Sequence, residues 1–384
     1  MKLNITNALK KILSITTYTF FGTVLGAIIL YIYLMQSRPD LYPWHTISLQ
    51  EEYTNKKSPK VKSFSEYLAQ EEKLFDELQE KIYSNWMDKR DHQLIRYDPT
   101  SMANPFLYEI NWNRSFELSQ EKPAGGVLLL HGLSDSPYSL RALANTLHQQ
   151  GNYVLGLRMP GHGTIPSGLV DSSWQDMAAA VKIAARHLSD KISSKPLHII
   201  GYSMGAAQAV NYSLDALQDE SLPVAESLVL ISPAIGVSAV AAFAVWQSRL
   251  SAIPGLEKLA WNSIGPEYDP YKYTSFAVNA GDLMYRLTLA IGDKLAQLQK
   301  QNRTAEFPKV QALISAVDAT VTVSAVVDHL LDKLGNNGNE LVVFDINRNK
   351  NIIPFVNNDP KDGLKSIFSR QDMNFRLSLL TNVS

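Results

Sequence analysis

The chain has no cysteine. That excludes disulfides, thiolate metal sites and a cysteine nucleophile, but it does not identify a compartment, since extracytoplasmic proteins also lack cysteine at times. There is no charge excess either. Lys and Arg number 36 against 37 Asp and Glu, for a formal net charge of −1, so nothing global draws the chain to nucleic acid. Histidine is scarce, with eight residues in 384, and only His329 comes after residue 203. No internal repeat and no long low-complexity tract is visible. No motif suggests a metal, nucleotide or flavin, so no cofactor is expected. What remains is a chain with 45% hydrophobic residues, long enough for one large domain or two small ones with a sizeable core.

Long apolar runs are absent too, with one exception. From Ile12 to Ser37 there is no charged residue. About 20 apolar residues span a bilayer core, so this run is long enough. Lys2, Lys10 and Lys11 precede it, while Arg38 and Asp40 follow and nearly cancel. The positive-inside rule then keeps the N-terminus cytoplasmic and places the rest across the membrane, on the periplasmic side of the inner membrane if the source is bacterial. A cleaved signal peptide is the competing reading, but Tyr31-Ile32-Tyr33-Leu34-Met35-Gln36-Ser37 offers no small-x-small cleavage site. A buried core helix is the third.

Residues 1–37 are therefore read as a cytoplasmic tip and transmembrane anchor. Residues 38–105 are read as a linker and a helical extension. Pro39, Pro43 and Pro59 mark the linker, 38–62. Phe64, Leu68, Phe75, Leu78, Ile82 and Trp86 recur at three-, four- and seven-residue spacings, which predicts a helix over 63–86. From about 106 to 384 apolar runs alternate with amphipathic stretches, the signature of a mostly parallel sheet flanked by helices. Strands are expected at Gly126–Leu130, Tyr153–Leu157, Leu197–Gly201, Leu228–Ile231, Val310–Val317 and Leu341–Ile346, and near Asn374–Thr381. Helices are expected at Ser139–Gln150, Trp174–Leu188, Met204–Leu217 and Val323–Leu334. Between Ser232 and Pro308 the alternation stops. That stretch carries Trp246, Trp261, Tyr268, Tyr271, Tyr273 and Phe276, is too long for a simple loop, and reads as an inserted cap over about 233–308.

Chemistry concentrates in four short segments. Gly201-Tyr202-Ser203-Met204-Gly205 is a Gly-x-Ser-x-Gly nucleophile elbow, with an apolar strand leading in and an alanine-rich helix leading out. Ser203 is the candidate nucleophile. Its plainer reading is an ordinary strand–helix turn. An acyl-transfer site also needs two backbone N–H groups aimed at the oxyanion. Met204, after the serine, supplies one, and Leu133 of His131-Gly132-Leu133 is the candidate for the other. His131 lies in that turn, where its side chain is expected to hold the loop rather than carry protons. His162 of Pro160-Gly161-His162-Gly163 is expected to be a loop histidine satisfied by backbone. Asp318 ends a late strand and is the candidate triad acid, in the order serine then acid that this kind of site follows. A helix N-cap is its plainer role.

With these residues in hand, 106–346 resemble the α/β-hydrolase superfamily, in the branch of monoglyceride lipases, lysophospholipases and serine aminopeptidase-like (S33) hydrolases. The resemblance rests on His131-Gly132, Pro160–Gly163, Gly201–Gly205 and Asp318, all in family order. It implies the α/β-hydrolase fold, Ser203 as nucleophile, the Leu133 and Met204 N–H groups as oxyanion hole, and Asp318 as acid. It does not cover 1–105 or the cap, and it leaves the substrate open.

One part of the pattern is missing. The family's histidine should follow the last core strand, and none does. His329 falls inside a helix expected on the sheet flank, which makes it a surface histidine. The reading is a chain shortened at its C-terminus, whose missing tail held the base. The functional expectation is a membrane-anchored serine hydrolase for a carboxylic ester, most plausibly a lipid or acylglycerol, working through an acyl-enzyme. The alternatives are an inactive or shortened hydrolase-fold protein and an S33-like aminopeptidase. The expected partners are a small-molecule or lipid ester and the membrane, with no nucleic acid.

Overall fold

The computed structural model describes residues 2–56, 58, 60–85, 94–236, 250–318, 320–345, 364, 365 and 367–381. Within them the chain begins as one long helix, α1 (Lys2–Gln36). Its stretch Lys10–Gln36, 27 residues, is long and apolar enough to cross a membrane and is not buried against the body.

The body is built on a sheet whose strands follow the expected runs closely. They are β1 (Phe116–Leu118), β2 (Gly126–Leu130), β3 (Tyr153–Leu157), β4 (Leu197–Tyr202) and β5 (Ser227–Ile231). A small ribbon, β6 (Trp261–Ser263) and β7 (Phe276–Ala277), stands apart, and β8 (Lys309–Ser315), β9 (Glu340–Asp345) and β10 (Arg376–Thr381) complete the sheet. The order is β1-β3-β2-β4-β5-β8-β9-β10, eight strands, with only the edge strand β1 antiparallel. Strands β2 and β3 are buried at every position, because parallel strands covered on both faces read as unbroken apolar runs. The short strand β1 was not legible in the sequence. Its three residues carry no alternation of their own, and pairing with β3 makes them a strand. Ile346 lies outside the described residues.

One face is covered by α4 (Arg141–Gln149). After the short α5 (Gly168–Asp171), the other carries α6 (Trp174–Ile192) and α7 (Met204–Ala216), both in the main core. Helix α6 starts where Ser173 accepts the Asp176 N–H, and it buries Met177, Val181, Ala184 and Leu188, three and four residues apart. Helix α7 is so rich in small residues that it lies flat on the sheet, with nearly every side chain buried.

Two expected boundaries move. Residues 38–62 are a strap rather than a linker. The short helix α2 (Pro43–Thr46) buries Trp44, which stacks on Tyr42 at 4.7 Å and on Tyr97 at 4.9 Å between ring centroids. Pro43 starts that one short turn of helix, and the prolines there do not prevent packing. The predicted helix over 63–86 is α3 (Phe64–Leu78), started by a Ser63/Glu66 capping box and continued by one π-turn, Gln79–Tyr83. Trp86 lies outside the described residues. The stretch read as a cap, 233–308, contains a long core helix. Its second half is α8 (Val278–Lys300), which buries Leu283, Leu287, Ile291, Leu295 and Leu298 in the core beside α7. That stripe was masked in the sequence by the aromatic run before it. Residues 237–249, with Trp246, lie outside the described residues. The remaining strip, 250–277, crosses the C-terminal end of the sheet.

The extension is joined to the sheet by a buried cation. The Arg158 side chain, at the exit of β3, is 1% exposed and bonds Glu52 and Glu71 at 3.0 Å each. Removing one partner leaves buried charge uncompensated, which costs about 3–5 kcal/mol. Glu71→Ala should therefore lower unfolding stability by about that amount. The neighbouring Glu72→Ala, whose pair with Arg114 is exposed on the Glu72 side, should change it by less than about 1 kcal/mol. Denaturant titration of both variants checks the contrast, and equal effects would contradict it.

Candidate active site

Ser203 sits between β4 and α7 with φ 53° and ψ −112°, a left-handed backbone that a serine holds only under strain. Its N–H donates to Ile231 O at 2.8 Å, and its carbonyl accepts from Ala206 and Ala234 N–H. The flanking glycines are there for space. A Cβ on Gly201 would collide with the Ala206 backbone, and one on Gly205 with the Leu130 carbonyl. Helix α7 can therefore be seated this close to β2 and β4 only with glycine at both positions.

The turn after β2 comes up against this elbow. A Cβ on Gly132 would lie 3.0 Å from the Tyr202 ring and 3.5 Å from Ser203 Cβ. Among the described residues, the N–H groups of Leu133 and Met204 have no protein acceptor. His131 is fully buried behind the turn. Met159 N–H donates to its Nε2 at 3.1 Å, so Nδ1 carries the proton and donates to Gly132 O at 2.9 Å. The ring of His162 lies 4.9 Å away, and its Nδ1 pairs with Pro160 O at 3.0 Å. Burial first, and the neighbouring His162 second, hold His131 well below the usual histidine range. Burial pushes His162 down to about 4. Both rings are neutral spacers under the loops.

Asp318 lies just beyond the end of β8, at the same end of the sheet as Ser203, with β5 between their strands. Its Oδ1 accepts the Thr320 and Val321 N–H groups at 2.9 Å each. The cap of the following helix, α9 (Val323–His329), is Thr322 instead. His329 ends α9, exposed, with its ring against Gly236. No described histidine bonds Ser203 or Asp318. His45 pairs with Ser275, His148 with Ser119 O, His187 with Glu117 and His198 with Ser227. His92 lies outside the described residues. No group of His, Asp or Glu suited to a metal ion occurs among the described residues.

What holds these loops is not legible in the sequence. Arg158 donates to His162 O at 2.9 Å as well as to Glu52 and Glu71. From the strip 250–277, Tyr273 N–H donates to Ser134 O at 2.7 Å, and Tyr273 Oη accepts Thr164 N–H at 2.8 Å. Tyr271 stacks on Tyr138 at 3.8 Å, with the Arg141 guanidinium 3.5 Å from the centre of the Tyr138 ring. Beside the elbow opens a groove of about 510 Å³ lined by Asp135, Tyr138, Tyr202, Ile231, Tyr271 and Lys272, among others. The alternation of Pro, Gly and aromatic residues in the strip was the one available signal for it.

The buried histidines make stability depend on pH. His45 and His162 are each pushed down to about 4 by burial, and His131 lies well below its ordinary value. The unfolded chain therefore binds more protons below its histidine pKa of about 6.5, so stability is full above that pH and falls as pH drops toward 4. Each such group contributes a slope of at most about 1.4 kcal/mol per pH unit. Between pH 6.5 and 5, His162→Gln should unfold with a slope smaller by about that amount, as read by denaturant titrations at several pH values. An unchanged slope would show that His162 already titrates normally in the folded protein.

With the geometry established, relatives can be compared. A thermostable monoacylglycerol lipase of Bacillus sp. (strain H-257) is 30% identical over 117 residues. That alignment takes in 30% of this chain and 44% of the lipase, so the chain spans less than half of that relative's length. A solved monoacylglycerol lipase of Paleococcus ferrophilus is 16% identical, with a TM-score of 0.43, over 70% of this chain and 88% of that one. A thermostable carboxyl esterase of Bacillus coagulans, solved with glycerol, is 14% identical, with a TM-score of 0.44, over 66% and 92%. The model of the serine aminopeptidase S33 family matches residues 121–346, from before β2 to the end of β9. This is more than half of the chain and includes the elbow, the Gly132 turn and Asp318, and the chain belongs to that family of α/β-hydrolases.

Proposed function

We propose that the chain is a membrane-anchored serine hydrolase that cleaves a carboxylic ester, a lipid or acylglycerol, through an acyl-enzyme on Ser203. The observation that carries this reading is the strained serine at φ 53° facing a glycine turn, with two N–H donors that have no acceptor among the described residues. In the reaction Ser203 Oγ attacks the ester carbonyl carbon and gives its proton to a base. The oxyanion accepts the Leu133 and Met204 N–H groups. Collapse expels the alcohol, which takes up that proton, and water then releases the acid from the serine. Asp318 orients the base and stabilises its cationic form. The turn uses Oδ1, and among the described residues Oδ2 has no hydrogen-bond partner. The lipase relative and the apolar α1 favour a lipid ester. Lys2, Lys10 and Lys11 favour a cytoplasmic N-terminus with the body on the far side of the membrane.

A second reading, a hydrolase fold without turnover, is favoured by one observation: no described histidine reaches Ser203. Without a base a serine hydroxyl is a weak nucleophile, and the oxyanion donors alone leave only a residual rate. A fluorophosphonate probe separates the two. Labelling of the full chain at Ser203, abolished in Ser203→Ala, is the expected result. Absence of labelling in a protein that melts cooperatively would support the second reading. Parallel assays with monoacylglycerols, short-chain esters and aminoacyl amides test the substrate class, and a preference for the amides would overturn the ester assignment in favour of an aminopeptidase.

A further inference from the structure

Nothing loose lies between α1 and the body. At the last turn of α1 the Lys258 ammonium donates to Gln36 O at 3.1 Å and Arg38 O at 2.8 Å, and it bonds Asp40 Oδ1 at 3.2 Å. It thus caps the end of the helix, where the carbonyls lack intrahelical partners and the dipole is negative. Arg38 returns the contact, donating to Trp261 O at 2.6 Å and Asn262 O at 3.1 Å. The Gln36 amide donates to Gly255 O. These bonds run in both directions between the end of α1 and residues 255–262, so the body cannot pivot freely about Ser37.

This clamp decides which surface faces a bilayer that α1 crosses. Leu250 and Ile253 form one turn, through Ile253 N–H to Leu250 O, and Leu256 N–H bonds Ile253 O in a second turn that contains the clamped Gly255. Both residues are about half exposed, at 45% and 50%. They lie within five residues of Gly255, which the end of α1 holds, and Tyr31 and Tyr33 are exposed in the last turns of that helix. A crevice of about 280 Å³, lined mainly by apolar side chains including Tyr42, Trp44, Ile95 and Ile264, opens just beyond the same end of the helix.

We infer that residues 250–258 form a second membrane contact, with Leu250 and Ile253 inserted at the headgroup level and Lys258 fixing the body to the anchor in one orientation. The partner is a phospholipid bilayer surface, and the contact holds the strip 250–277 against it. The inference rests on the reading of α1 as a membrane anchor, and its test keeps the two apart. Because the chain has no cysteine, single spin labels can be placed cleanly on the full protein in nanodiscs of zwitterionic and anionic phospholipid. The positions are Val24→Cys on α1, Ile253→Cys on the loop and Asp190→Cys on the exposed end of α6. Accessibility to oxygen and to a water-soluble nickel complex then reads depth.

The expected result is a lipid-like ratio at 24, an interfacial ratio at 253 and a fully aqueous one at 190. A lipid-like 24 with a 253 as aqueous as 190 overturns the second contact and leaves the anchor standing. An aqueous 24 overturns the anchor, and the contact with it. A second readout covers the clamp. The distance distribution between labels at 24 and 190 should be narrow and should broaden in Lys258→Ala, and an equally narrow distribution in the variant would show that Lys258 does not set the orientation.

Discussion

Arg158 carries a full charge at a place water does not reach, with 1% of its side chain exposed. A cation in that position has to be matched by anions and by hydrogen bonds at every donor. The anions come from Glu52 and Glu71, both outside the stretch that matches the S33 family. Ser115 Oγ donates to Glu71 and accepts Arg158 N–H, which draws in the start of β1 as well. The next residue after this arginine, Met159, donates to His131, and His131 in turn donates to Gly132 O. A line of single hydrogen bonds therefore runs from the extension, through a buried ion triad, to the turn that faces Ser203. The extension completes the family fold here by satisfying a charge that the fold would otherwise leave unpaired.

The elbow depends on a different constraint, steric rather than electrostatic. Gly201 and Gly205 are both required because each Cα faces backbone, and backbone cannot rotate away as a side chain can. Once α7 is seated, Ser203 is forced to positive φ and its side chain is left half-exposed at the end of the sheet. The strain is offset locally by four backbone hydrogen bonds around the serine, with Ile231, Ala206, Ala207 and Ala234.

These two constraints differ in how far a reader of the sequence could foresee them. The elbow, the Gly132 turn and most strands were legible because sterics and burial act on neighbours in sequence. Gly-x-Ser-x-Gly and a run such as Val127–Leu130 state their own environment. The clamp on Arg158 was not legible. Its partners lie 106 and 87 residues away, and a lone Glu in a polar strap or on an amphipathic helix looks like any surface charge. The same holds for Trp44 and His45, which lie in the proline-marked stretch read as a linker and which tertiary packing buries. Helix α8 was hidden for a simpler reason. Its apolar stripe follows a run of aromatic residues, and the change of period at Val278 was taken into the run.

The strip 255–277 belongs to both ends of this picture. At one end Lys258 and the carbonyls of Trp261 and Asn262 hold the last turn of α1. At the other, Tyr273 bonds Ser134 and Thr164, Asn113 bonds Pro270 O, and Arg96 N–H bonds Glu267 O. The β6–β7 ribbon ties its two halves together. Swinging the strip away as a lid would break several of these bonds at once, each worth about 1 kcal/mol and more where a buried donor is left unpaired. The groove beside Tyr202 is open with all of them intact. A ligand that enters by that route needs no such motion, and the strip can then serve as a rigid brace between α1 and the turn beside Ser203.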